Sequence, residues 1–205
     1  MADDPARPAV SAVTSRRDAW ARALIDGRLD EIAAAFRHDD TEPPVAVWNP
    51  DPASLRTEPI RFVLNHWRQL CGAGKAPPVA SLDALALRPA LGYVMLVDPV
   101  GDGLDFRYRL YGSLIATVSG MDMTGRLVSQ HHASAHVVDF SFAGYLAVYR
   151  RPEPLYTFRR PARADFTRSW ERLVLPLVDD RGRVARFLVV NVPENEAGVA
   201  IRPAF

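Results

Sequence analysis

The stretch LDFRYRLYGSLIATVSGMDMTGR, from Leu104 to Arg126, decides how the chain is read. Phe106, Tyr108 and Leu110 alternate with Arg107, Arg109 and Tyr111. That is the period of a strand with one face in a core and the other tipped with charge. Gly112 and Ser113 break the alternation, and Leu114, Ile115 and Val118 follow at helical spacing. A short helix is therefore expected to pack back onto the strand. Gly120 ends it, and Met121 to Gly125 read as a tight connection. Strand, glycine, short helix and glycine-ended turn make a small cup.

The segments FRYRLYGS (106–113) and GMDMTGR (120–126) resemble the PAS domain, specifically its compact, stand-alone alphaproteobacterial family. The likeness extends to LVDPVGDGLDFRYRL, similar to that family's first hairpin, and to RLVLPLVDDRGRV, similar to its late one. It covers roughly Pro59 to Val192. The resemblance implies a sensory or interaction module whose sheet and helices enclose a pocket.

The rest of the chain divides around this core. Residues 1–15, rich in Ala, Pro, Asp and Ser, are expected to be disordered. Residues 16–58 form an N-terminal extension and linker. Within it, Trp20, Ala23, Leu24, Ile32 and Phe36 suggest an amphipathic helix, broken near Gly27, that covers exposed sheet. Val45, Val47 and Trp48 form an apolar knot pinning a linker rich in Pro and acidic residues. The PAS-like domain spans 59–192 and a tail 193–205. Ile60, Val63, Leu64, Trp67 and Leu70 mark a helix stopped by Gly72, and Ser81 reads as the N-cap of a short helix through Leu91. Strands are expected over 93–98 and through Leu110, a longer helix over 133–151, then strands over 153–160, 168–177 and 184–192. The fold class is α+β, with a five-stranded antiparallel sheet and helices on one side.

Bulk composition narrows the function. The chain of 205 residues has a formal charge of +1, so no global field favours nucleic acid or an anionic membrane. A single cysteine, Cys71, excludes an internal disulfide and points to a reducing compartment. The acidic start, MADDPARPAV, lacks the pattern of a signal peptide, and no apolar run approaches the roughly 20 residues of a membrane helix. A cytoplasmic protein is expected.

The expected pocket lining is Tyr108, Leu110, Ile115, Val118, Met121, Phe140, Tyr145, Leu175, Val189 and Asn191. An apolar pocket with a few polar tips suits a small organic ligand. Tyr108, Tyr145 and Asn191 carry that reading, because a buried hydroxyl or amide needs a partner. The strands around Leu173 to Leu177 and Phe187 to Val192 are apolar on both faces, so both faces must be covered. The N-terminal helices or a second subunit would do this, and a homodimer is expected. His131, His132 and His136 do not complete a zinc site, since Asp139 is the nearest further ligand. No metal is assigned and no cofactor is identified; His136 is the residue to watch for haem. Arg150, Arg151, Arg159, Arg160, Arg163 and Arg168 are interrupted by Glu153 and Asp165, which reads as a solvated sheet edge. Ser119, Ser129 and Ser134 lack a nucleophile elbow, and Asp122 reads as a cap for backbone N–H groups. No enzyme is assigned. The expectation is a cytoplasmic sensor or adaptor that binds a small molecule and a signalling partner. The alternative is a small-molecule-processing enzyme using Tyr108 with His132 or His136.

Overall fold

A computed structural model of the chain describes residues 10–38, 42–72, 74–160, 169–195 and 197–202. Arg163, Asp165 and Arg168 of the basic cluster lie outside them, as do residues 1–9 of the expected disordered start and 203–205 of the tail.

The central hairpin forms as its alternation predicts. Strands β2 (Val94–Val100) and β3 (Asp105–Leu110) pair antiparallel, with Phe106 and Tyr108 buried and Arg107 and Arg109 outward. Near its end the register slips. Tyr108 stands opposite Val97 but Leu110 opposite Leu96, so β3 carries one extra residue there. A bulge of this kind turns the following side chains over. Leu110 is thereby directed outward and Tyr111 inward, a correction to the expected lining. Gly112 follows at a point of close backbone approach. A Cβ there would sit 2.5 Å from the Gly92 carbonyl oxygen and 2.9 Å from that of Val94. Helix α4 (Ser113–Ser119) then ends at Gly120, as expected.

The sheet has six strands, not five. β4 (Leu155–Arg159), β5 (Ser169–Val178) and β6 (Val184–Glu194) occupy the expected positions, and the apolar knot is itself a strand, β1 (Val45–Trp48), on the sheet edge. The order is β1-β4-β5-β6-β2-β3, antiparallel throughout. The segment after Ser81 forms no α-helix. Tight turns at Val79–Ser81 and Arg88–Tyr93 replace it. Pro89 contributes to this, since it lacks the N–H that an α-helix running through it would donate to the Leu85 carbonyl.

Helices cover both faces of the sheet, which corrects the one-sided layer. Along β5, Leu173, Leu175 and Leu177 point to one face, where α3 (Glu58–Cys71) lays down Ile60, Val63, Leu64 and Trp67. Burying each such side chain contributes about 1.5–3 kcal/mol. The helix entry is held from the sheet: the fully buried Glu171 accepts from the Arg56 and Thr57 backbone N–H groups at 2.6 and 2.9 Å. Val174, Phe187, Val189, Phe106 and Tyr108 point to the other face, toward α5 (Ala135–Arg150). The doubly apolar strands are thus covered within one chain, and the feature that pointed to a second subunit is accounted for without one.

Helices α1 (Val10–Asp26) and α2 (Asp30–His38) break at Gly27 as expected, but α1 begins inside the stretch assigned to disorder. They pack mainly on the outer side of α5, making it a helix buried on nearly all sides, and α1 also meets the edge strand β1. Asp139 of α5, almost fully buried, pairs with Arg16 and with Arg17 at 2.6 Å. Trp48 of β1 donates to the Leu24 carbonyl at 2.8 Å, tying the edge strand to α1.

Candidate functional site

Between the sheet and α5 lies a cavity of about 250 Å³. Its floor is Arg159 of β4, Trp170 and Arg172 of β5, Asn191 of β6, Met95 of β2 and Tyr108 of β3, with Tyr111 beyond the bulge. Its roof is Val137, Val138, Ser141 and Tyr145 of α5, preceded by His131 and His132. Ser119, Met121 and Val128 close one side. Strand register brings the floor together: Arg172 stands opposite Asn191 on one neighbour and Thr157 on the other, two residues before Arg159.

Of the expected lining, Tyr108, Met121, Tyr145 and Asn191 meet in this cavity. Ile115 and Val189 are fully buried in the same core without lining it, and Val118 is half-buried outside it. Phe140 faces away, with its ring 5.5 Å from that of Phe36 in α2. Leu175 lies on the opposite face of the sheet, under α3. Strand parity is the reason: on β5 the even-numbered Trp170, Arg172 and Val174 face α5 and the odd-numbered residues do not. Leu110 is 38% exposed, turned out by the bulge.

The polar members of the cavity are basic, phenolic or neutral. Among the described residues no Asp or Glu lines it, whereas two arginines and two histidines do. Arg159 lies 5.8 Å from the Trp170 ring and Arg172 4.3 Å from the Tyr145 ring. Burial, then the charge of Arg172, pushes the Arg159 guanidinium down to about 10. Burial also holds Tyr108 well above the ordinary phenol range, with Tyr145 and Tyr111 adding to it. Tyr145 and Tyr111 are raised for the same first reason. The Tyr145 hydroxyl and the Arg172 Nε are buried, and neither has a hydrogen-bond partner of normal geometry. The Arg172 guanidinium donates from Nη2 to the Ser141 carbonyl at 3.4 Å.

The histidines separate. His131 is half-buried, and its Nδ1 accepts from the Ala133 N–H at 3.0 Å, which places the neutral ring's proton on Nε2. Burial, then Arg159, His132 and Arg172, lowers its pKa below 6.5. His132 is exposed at the rim. His136 is buried away from the cavity, edge-on to Phe36 at 4.7 Å. It does not join Tyr108, whereas His132 does. Among the described residues no group of three or more His, Cys, Asp or Glu side chains converges as a metal site requires. Asp122 accepts from the Thr124 N–H at 2.8 Å, the capping role expected of it. Arg159 belongs to the cavity wall, not to a solvated sheet edge.

Sequence reading missed Arg159, Arg172, Trp170, Tyr111 and the cavity position of His131. A signal for Arg172 was present. A charged residue inside a strand with two apolar faces has no solvent side to occupy. A wider groove of about 920 Å³ lies on the opposite face, between α3 and residues 198–202, and none of the expected lining borders it. No helix of the described residues is long and apolar enough to cross a membrane. A scan against protein-family models finds no match, and neither does a search of curated proteins.

Proposed function

We propose that this chain is a PAS-type sensory or adaptor module that holds a small organic molecule between its sheet and α5 and presents the consequence to a partner in cytoplasmic signalling. The observation that carries this reading is the cavity itself, walled by two buried polar groups, the Tyr145 hydroxyl and the Arg172 Nε, neither of which has a hydrogen-bond partner of normal geometry. A buried donor without a partner costs about 1–3 kcal/mol, so a site that keeps two is suited to a bound molecule that satisfies them. The PAS-like motif supports the same reading from its place in the fold: its strand supplies Tyr108 and its turn supplies Met121 to the cavity wall.

The geometry also provides a route outward. The roof helix α5 carries Tyr145 and Ser141 on its cavity side and Asp139 toward α1. A ligand that shifts α5 changes the seating of α1 and α2, whose outer surfaces are free to meet a second copy or another protein. Such coupling requires only that the ligand prefer one arrangement of α5 over the other.

Native mass spectrometry of the freshly purified full chain, with an absorbance spectrum of the same sample, tests this. A bound mass below a few hundred daltons is expected. A bare chain that also fails to bind any member of a diverse small-molecule set, and that recruits no partner, overturns it. The same spectrum reports on haem through a Soret band.

A further inference from the structure

Among the described residues the cavity is lined by two arginines and no acid, in contrast to the other half-buried arginines. The half-buried Arg17 and Arg186 each hold a carboxylate, Asp139 at 2.6 Å and Asp98 at 2.6 Å. Arg16, which meets the same Asp139, and the more exposed Arg56, on Glu194, do likewise. Arg159 and Arg172 are half-buried too, yet among the described residues neither has a carboxylate partner. Their faces rest on Trp170 and Tyr145 instead, and the Arg172 Nε is left without a hydrogen-bond partner of normal geometry. Two like charges placed in one partly desolvated space repel, and the lowered pKa of Arg159 reflects burial and that repulsion together. A guanidinium fork matches a carboxylate in geometry as well as charge.

Resting on the reading of this cavity as a ligand site, we propose that its ligand is a small organic carboxylate, its anionic end held by Arg159 and Arg172 and its apolar body lying against Tyr108, Met95 and Val138. The Tyr145 hydroxyl is the further donor to the anion. At about 250 Å³ the space is below the roughly 300–1,000 Å³ of drug-sized sites, so it takes one ring or a short chain. No acid among the described lining residues competes for the arginines, so the site rejects the neutral amide of the same shape.

The test is calorimetric titration and thermal denaturation of the full chain with benzoate, phenylacetate and butyrate, each beside its primary amide, and with inorganic phosphate. The acids are expected to raise the melting temperature and at least one to bind about tenfold or more tighter than its amide, a difference of about 1.4 kcal/mol. Arg172→Met and Arg159→Met are expected to abolish that preference. Both variants are also expected to melt at or above the wild-type temperature without ligand, because each removes one of two repelling charges, so loss of folding does not obscure the result. Amides binding as well as acids, an unchanged preference in both variants, or phosphate binding where no carboxylate does would each overturn the carboxylate assignment. So would silence from the whole acid series. The sensor reading falls separately, only if the amides and native mass spectrometry are silent as well.

Discussion

The guanidinium of Arg172, on the sheet, lies 4.3 Å from the ring of Tyr145, on the helix that roofs it. This contact spans the cavity from floor to ceiling. It stacks a cation on an aromatic face while leaving both the Arg172 Nε and the Tyr145 hydroxyl without a hydrogen bond of normal geometry.

Tyr145→Phe separates the cost of that hydroxyl from its use. Removing a well-paired buried hydroxyl costs about 1–3 kcal/mol, but this one makes no hydrogen bond of normal geometry. Denaturant unfolding of the ligand-free variant is expected to match wild type within about 1 kcal/mol or to exceed it. Carboxylate binding by the same variant is expected to weaken. A large loss of stability would show that the hydroxyl is already paired.

Protonation of His131 should destabilise the fold. Its pKa is lowered from 6.5 by burial and by Arg159, His132 and Arg172, and no acid of the cavity lining offsets them. Between that lowered value and 6.5 the unfolded chain binds more protons than the folded one, so stability rises with pH in that window. The contribution is complete above 6.5 and is lost as the pH falls. Unfolding curves of wild type and His131→Gln should therefore converge or cross as the buffer is acidified from about pH 7.5 to 5. Parallel behaviour across the range would contradict this.

Gly112→Ala places a methyl group 2.5 Å from one backbone carbonyl oxygen and 2.9 Å from another. Neither obstacle is a flexible side-chain end, so the strand and α4 must separate. A loss of about 1–3 kcal/mol or more is expected by chemical denaturation. Gly144→Ala is the control. Its Cβ would meet nothing nearer than 3.9 Å, inside α5, and a stabilisation of about 0.5–1 kcal/mol is expected there.

Asp139→Asn should loosen α1 without touching the cavity. The side chain is 2% exposed and serves Arg16 and Arg17, which are 36% and 16% exposed. Partial exposure of the arginines moderates the cost to about 1–3 kcal/mol. Hydrogen exchange is expected to rise in α1 well before it rises in β5 or β6. Uniform protection in both would show that α1 is held by its apolar face alone.

What was legible in the sequence was local. The alternation around Phe106 and Tyr108, the helical spacing in α3 and α5, and the stop at Gly120 depend on neighbours a few residues away. The edge strand β1 was seen only as an apolar knot, because its four residues gain strand character from β4 and not from their own pattern. The bulge that exposes Leu110 and buries Tyr111 was invisible for a related reason: it is a mismatch between two strands, and one strand's sequence does not contain it.

The α+β class, the hairpin and four of the cavity side chains, Tyr108, Met121, Tyr145 and Asn191, follow from local pattern. Packing in three dimensions set which parity of β5 faces α5, laid α3 on the other face, and brought Arg159 and Arg172 into one space that no acid of the described residues lines. A strand apolar on both sides carries no mark of which side is which. A guanidinium's partner is a matter of distance in space, which no local pattern of residues records.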